Sequence, residues 1–95
     1  MKQTVYLNGE FCDLADAKIS VLDRGFIFGD GIYEVIPVYQ GKLFRARQHL
    51  ARLARSLDYI GIANTYSEAE WLDLIQQLLA RQPEGDQMVY LQVTR

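Results

Sequence analysis

The sequence predicts an α+β fold, a small antiparallel sheet with two helices on one face, and three observations lead there. From Gln87 to Thr94 the side chains alternate, Met88, Tyr90 and Gln92 against Val89, Leu91 and Val93, which is the period of a strand with one covered face. From Arg45 to Ile60 the apolar residues return instead every three or four positions, the period of a helix with one apolar stripe. The order of such segments, strands, then two helices, then a strand, places a helical layer on a short antiparallel sheet.

The elements follow in chain order. Thr4 to Leu7 and the segment from Phe11 onward flank Asn8-Gly9, a dipeptide that accepts the two positive φ angles of a type I′ turn, so an N-terminal hairpin is expected. A polar stretch, Asp13 to Lys18, leads to Ile19-Ser20-Val21-Leu22 and then to Asp23-Arg24-Gly25-Phe26-Ile27-Phe28-Gly29-Asp30-Gly31. Its three glycines predict a sharply bent or mobile backbone. Ile32 to Tyr39 is rich in β-branched and aromatic residues and ends at Gln40-Gly41-Lys42, so it reads as a strand entering a turn. Pro37 within it has no N–H and belongs on an unpaired edge or a bulge.

In the first helix Ala46, Leu50, Leu53, Ala54, Leu57 and Ile60 form the apolar stripe, and Gly61 is its C-terminal stop. Ser67-Glu68-Ala69-Glu70 is a capping box for the second helix, with Tyr66 and Trp71 spaced as a hydrophobic staple. Its covered face comprises Trp71, Leu74, Ile75 and Leu78, widened by Leu72 and Leu79; Pro83-Glu84-Gly85-Asp86 ends it. The last segment stops at Arg95 while still strand-like, so residues 1–95 are expected to be one domain of a longer protein.

Composition removes several function classes. With 49% apolar residues the chain can build a core and is not a disordered tail. A net charge of -2 gives no general attraction to nucleic acid or anionic lipid, and no apolar run is long enough to span a membrane. The start, Met1-Lys2-Gln3-Thr4-Val5, lacks the apolar core of a signal peptide, so a cytoplasmic location is expected. Cys12, the single cysteine, has no internal disulfide partner, and with His49, the single histidine, it offers too few ligands for a structural zinc site; no metal is expected.

Spacing alone assigns little chemistry. Gly25-x-x-x-Gly29-x-Gly31 is neither the dinucleotide fingerprint nor the phosphate loop. His49 stands on the flank of the first helix's stripe, where a packed or half-exposed side chain is the ordinary outcome. Arg52 lies one turn from His49 and Ser56; periodicity gives it a solvated position, although its forked guanidinium suits a phosphate or carboxylate. The carboxylates are dispersed singly along the chain.

Asp23-Arg24-Gly25-Phe26-Ile27-Phe28-Gly29-Asp30-Gly31-Ile32-Tyr33-Glu34-Val35 resembles the opening signature of the fold type IV pyridoxal-phosphate enzymes, and three further segments follow in that family's order and spacing. They are Val38-Tyr39-Gln40-Gly41-Lys42-Leu43-Phe44, His49-Leu50-Ala51-Arg52-Leu53 and Val89-Tyr90-Leu91-Gln92-Val93-Thr94-Arg95. Together they cover essentially the whole chain. Within the family, Gly31-Ile32-Tyr33-Glu34-Val35 and the Tyr90-to-Arg95 ending look most like the D-amino-acid aminotransferases.

The resemblance implies a homodimer of two-domain subunits that holds pyridoxal 5′-phosphate between the domains and moves an amino group between an amino acid and a 2-oxo acid. This chain would be the N-terminal small domain. Arg52 matches the arginine that grips the cofactor phosphate, with His49 in support. Tyr33 matches the tyrosine that helps hold the substrate carboxylate, and Val35 matches a position bordering the substrate. Gly29, Asp30 and Gly31 would shape the loop, and Arg95 is not the arginine of the family's carboxylate trap. No catalytic residue is expected in this chain: the Schiff-base lysine belongs to the second domain, and Lys2, Lys18 and Lys42 lie outside its context. Aminodeoxychorismate lyase and branched-chain aminotransferase chemistry, or a stand-alone interaction domain, are the alternatives.

Overall fold

Asn8 and Gly9 take φ angles of 51° and 93° and fold Thr4–Leu7 (β1) antiparallel onto Glu10–Asp13 (β2), as the two-residue turn requires. A computed structural model of the chain describes residues 3–83 and 85–95, so Lys2, and Glu84 of the expected turn, lie outside the described residues. After a short 3₁₀ turn at Leu14–Asp16 the chain forms Arg24–Phe28 (α1), Gly31–Tyr39 (β3), Lys42–Leu43 (β4), Ala46–Ile60 (α2), Glu68–Ala80 (α3) and Gln87–Thr94 (β5).

The expected α+β arrangement is present with two differences. The strands form two antiparallel sheets, β1-β2 and β4-β3-β5, because among the described residues no ladder joins the hairpin to the longer strands. The glycine-rich segment holds a one-turn helix, α1, in place of a merely bent loop. The Asp23 carboxylate caps it by accepting from the Gly25 amide at 2.8 Å, and Gly29 ends it in the left-handed region at φ 63°. The other two glycines answer to close approach. A Cβ on Gly25 would collide with the Thr94 side chain, and one on Gly31 would lie 2.5 Å from the Val93 carbonyl oxygen. The end of β5 therefore packs directly against this backbone.

The core lies between the β4-β3-β5 sheet and α2 with α3. Ile36, Val38, Val89 and Leu91 cover one side; Leu50, Leu53, Leu57, Trp71 and Ile75 cover the other. Ala54, expected in the α2 stripe, is exposed, because it stands at the margin of the stripe that Leu50, Leu53 and Leu57 centre. Gly61 closes α2 at φ 73°, the Ser67-Glu70 capping box starts α3, and Tyr66 packs edge-on against Trp71 with centroids 4.8 Å apart. Pro37 is in the central strand, yet its nitrogen causes no loss. Its carbonyl accepts from the Phe44 amide at 2.8 Å, so its nitrogen faces the same side, where β4 has already ended. Among the described residues no helix is long and apolar enough to cross a membrane.

Candidate functional site

Strand alternation builds the site. Ile32, Glu34, Ile36 and Val38 share the face of β3 that meets α2, and Glu34 on that face is only 5% exposed, the one charged residue in the buried set among the described residues. A covered carboxylate must be paired or lose its charge. Helix α2 supplies the partners from one turn of its flank, His49 and Arg52. The turn preceding α2 is set by Arg45, which adopts φ 56°, and its carbonyl accepts from the His49 amide at 3.1 Å.

Arg52 meets Glu34 side-on. Its Nε donates to Oε2 at 2.7 Å and its Nη2 to Oε1 at 2.8 Å, the two-pronged geometry that suits a guanidinium and a carboxylate. His49 Nδ1 lies 2.8 Å from Oε1 of the same carboxylate. The Arg52 guanidinium beside it holds the Glu34 carboxyl below the usual carboxylate range; burial opposes this and the His49 hydrogen bond reinforces it. The same pairing raises Arg52 further above its ordinary value. The Arg52 side chain nevertheless keeps 59% of its surface exposed, and the guanidinium turns its Nε and Nη2 edge to Glu34 and its Nη1 edge away from it.

Tyr33 and Val35 share the other face of β3, away from α2. Tyr33 is 63% exposed and stacks on Tyr90 of β5 with centroids 5.6 Å apart. Val35 stands opposite Tyr90 in the ladder, and the Tyr90 hydroxyl donates to Gln92 Oε1 at 2.8 Å. The structure thus brings Arg52 to His49 and Tyr33 to Val35, but sets the two pairs on opposite faces of one strand. Because β4 pairs only with Val38 and Tyr39, Gly31 to Ile36 form an edge of β3 unpaired on that side among the described residues.

Glu34 and Tyr90 were not identified as site residues from the sequence. Glu34 carried a signal, a charge at the apolar parity of an otherwise apolar strand; Tyr90 carried a weaker one, an aromatic ring at the exposed parity of β5. Asp30 does shape the loop: Arg24 Nε at 3.0 Å and Arg95 Nε at 2.9 Å both donate to its Oδ2, which lowers its carboxyl below the usual range, the Arg24 hydrogen bond foremost. Arg95 also donates to the Ile60 and Gly61 carbonyls at the end of α2. Hollows of about 910 and 570 Å³ lie elsewhere, between the hairpin, α3 and β5 and beside the β3-β4 turn, and neither is lined by Glu34, His49 or Arg52.

Residues 31–95, which hold all of this constellation, match the sequence model of the family amino-transferase class IV. The chain belongs to the class IV aminotransferases. It is 44% identical over 91 residues to a D-alanine aminotransferase of Staphylococcus epidermidis, a match covering 96% of this chain and 32% of that protein. A branched-chain aminotransferase of Thermoproteus uzoniensis, solved with norvaline, superposes with a TM-score of 0.84 at 27% identity over 99% of this chain and 33% of that one. The Escherichia coli branched-chain aminotransferase shares the fold at a TM-score of 0.91 and 21% identity, again over 99% and 33% of the two chains. This class IV chain thus spans about a third of the length of the relatives it matches. Class IV aminotransferases are pyridoxal-phosphate enzymes, and the Nη1 edge of Arg52 suits a phosphate, with a fixed positive charge and parallel N–H donors on the side away from Glu34.

Proposed function

We propose that this chain is the N-terminal small domain of a cytoplasmic, homodimeric aminotransferase that uses pyridoxal 5′-phosphate to move an amino group between a D-amino acid, such as D-alanine, and a 2-oxo acid. The observation that carries the proposal is Arg52 held edge-on by Glu34 with its Nη1 edge turned away from that carboxylate, in a chain 44% identical to a D-alanine aminotransferase. Arg52 binds the cofactor phosphate, and His49 supports it. When bound, pyridoxal phosphate supplies the electron sink for the carbanion formed at the substrate's α carbon. The Tyr33 hydroxyl helps hold the substrate carboxylate, and Val35 borders the substrate.

Moving the α proton is assigned to a lysine outside this chain. Lys42 pairs with Tyr39, five residues along β3 from Glu34 or roughly 17 Å at the rise of a strand, and Lys18 is exposed in the loop before α1. On this reading the 95 residues alone bind and orient without turnover. Pyridoxamine 5′-phosphate and pyridoxamine, which have no aldehyde to react with surface lysines, test the phosphate grip on the 95-residue chain by calorimetry. The phosphate form should bind at least about tenfold more tightly, as one charge-assisted pair supports, and Arg52→Ala should abolish the preference in a chain that still folds but melts lower, because the covered Glu34 loses its main partner. Equal affinity for the two compounds would sink the assignment. In the parent protein, pyruvate should form from D-alanine beyond one equivalent per subunit only when a 2-oxo acid is supplied; pyruvate released repeatedly from aminodeoxychorismate without an acceptor would indicate the lyase.

A further inference from the structure

We infer that Glu34 is the positioning residue of this site: it fixes both the plane of the Arg52 guanidinium and the tautomer of His49, and so presents the Nη1 edge of Arg52 to a phosphate monoester. The inference rests on the phosphate role proposed for Arg52 and extends it to a residue that does not itself touch the ligand.

A covered carboxylate accepts hydrogen bonds and has none to donate. Glu34 receives Nε and Nη2 of Arg52 at 2.7 and 2.8 Å and faces His49 Nδ1 at 2.8 Å. Both side-on bonds to Arg52 lie on one edge of the planar group, so the plane is set by two points and the opposite edge by exclusion. A carboxylate has no proton to give, so His49 Nδ1 carries one and donates it. The 3.5 Å approach of Arg52 Nη2 to that nitrogen is then a contact between two donors and not a hydrogen bond. Arg52, at 59% exposure, would otherwise sample many rotamers in water. Glu34 is held in turn by burial on the core face of β3, beside Ile36 at 0% exposure, so the anchor is rigid where the anchored group is not.

A negative charge next to a phosphate-binding arginine is unfavourable on charge alone, and this gives the inference a sharp test. If Glu34 acts only as a charge, Glu34→Gln makes the site more positive and phosphate binds more tightly. If Glu34 positions, the neutral amide loses the two-pronged anchor and phosphate binds more weakly. The experiment is nuclear magnetic resonance on the full 95-residue chain with inorganic phosphate as the probe. In the wild type, the His49 nitrogen shifts should report the Nδ1–H tautomer, and the Arg52 Nε–H should exchange with water at least about tenfold more slowly than that of Arg55 on the same helix, because only the former is engaged. In Glu34→Gln the Arg52 protection should fall, phosphate affinity should drop about tenfold, the loss of one charge-assisted anchor, and Glu34→Asp should recover part of both.

An Nε2–H tautomer at His49, or equal exchange at Arg52 and Arg55, overturns the inference in the wild-type protein, so the outcome stands even where a variant fails to fold. Tighter phosphate binding in Glu34→Gln overturns it as well. A protected Arg52 and an Nδ1–H His49 in a chain whose Arg52 resonances do not respond to phosphate leaves the anchor intact and refutes its phosphate ligand. That result separates failure of the phosphate assignment from failure of the anchor.

Discussion

The two faces of β3 are built from nearly the same kinds of residue and end in opposite states. Ile36 and Val38, facing α2, are fully covered, whereas Tyr33 and Tyr39 on the other face are 63% and 53% exposed and continue across β5 into Met88 and Tyr90. Apolar composition does not separate the faces; contact with the helices does. The covered face also contains the strand's one charge, Glu34, which it tolerates because Arg52 and His49 meet it. The open face has rings and no such obligation. One face therefore carries stability and an anchored guanidinium, and the other offers aromatic surface whose removal costs the fold little.

The largest test of that division is Leu53→Ala, on the helix side of the covered face. Leu53 is fully buried, and a Leu to Ala truncation in such a place costs about 2–5 kcal/mol. In a chain this short that is a large part of the total, and urea unfolding should show a much lower midpoint or no folded baseline. A smaller effect, about 1–2 kcal/mol at neutral pH, is expected for Glu34→Gln, kept modest because Arg52 is more than half exposed and can be resolvated. Its pH dependence is the sharper measurement. The Glu34 carboxyl titrates lower in the folded chain than in the unfolded one, so its contribution is complete above the ordinary glutamate range and is lost as the pH falls from that range down through the lower value of the folded chain. Wild-type unfolding midpoints should decline across this acid window, and Glu34→Gln should flatten the decline. A residual slope from Asp30 and Glu70, whose carboxyls are also lowered, should remain.

The covered face was legible in the sequence because burial leaves a period. The alternation of Val89, Leu91 and Val93 and the spacing of Leu50, Leu53 and Leu57 are direct records of contact, and local chemistry marked Gly61 and the Ser67 cap equally well. The short helix α1 was hidden because its glycines serve different ends. Gly29 is a left-handed cap, while Gly25 and Gly31 admit the end of β5, an encounter between residues roughly sixty to seventy positions apart that no local window contains. The pairing of Glu34 with Arg52 was concealed in the same way: the parity of Glu34 marks it as unusual without naming a partner, Arg52 has an ordinary solvated reading, and only the packing of α2 on β3 joins them. The family signature marked Arg52, Tyr33 and Val35 without revealing that one strand separates them into two faces.

On the open face, Tyr90→Ala removes the stack with Tyr33 but opens no cavity, so a loss of about 0.5–1 kcal/mol is expected by thermal unfolding, well below that of Leu53→Ala. A loss as large as the core variant's would show that the open face supports the fold after all. The smallest structural effect belongs to Tyr33→Phe. The ring and its stack are retained, the hydroxyl leaves a largely exposed position, and stability should change by less than about 0.5 kcal/mol. Any consequence must then be functional. On the proposed function, Tyr33→Phe in the parent protein should raise the KM for the D-amino acid or lower kcat, while the cofactor spectrum and pyridoxamine phosphate affinity stay as in wild type, because the phosphate grip proposed for Arg52 lies on the opposite face. If the spectrum is lost together with activity, the two faces are not independent, and Tyr33 holds the cofactor's surroundings together instead of its substrate.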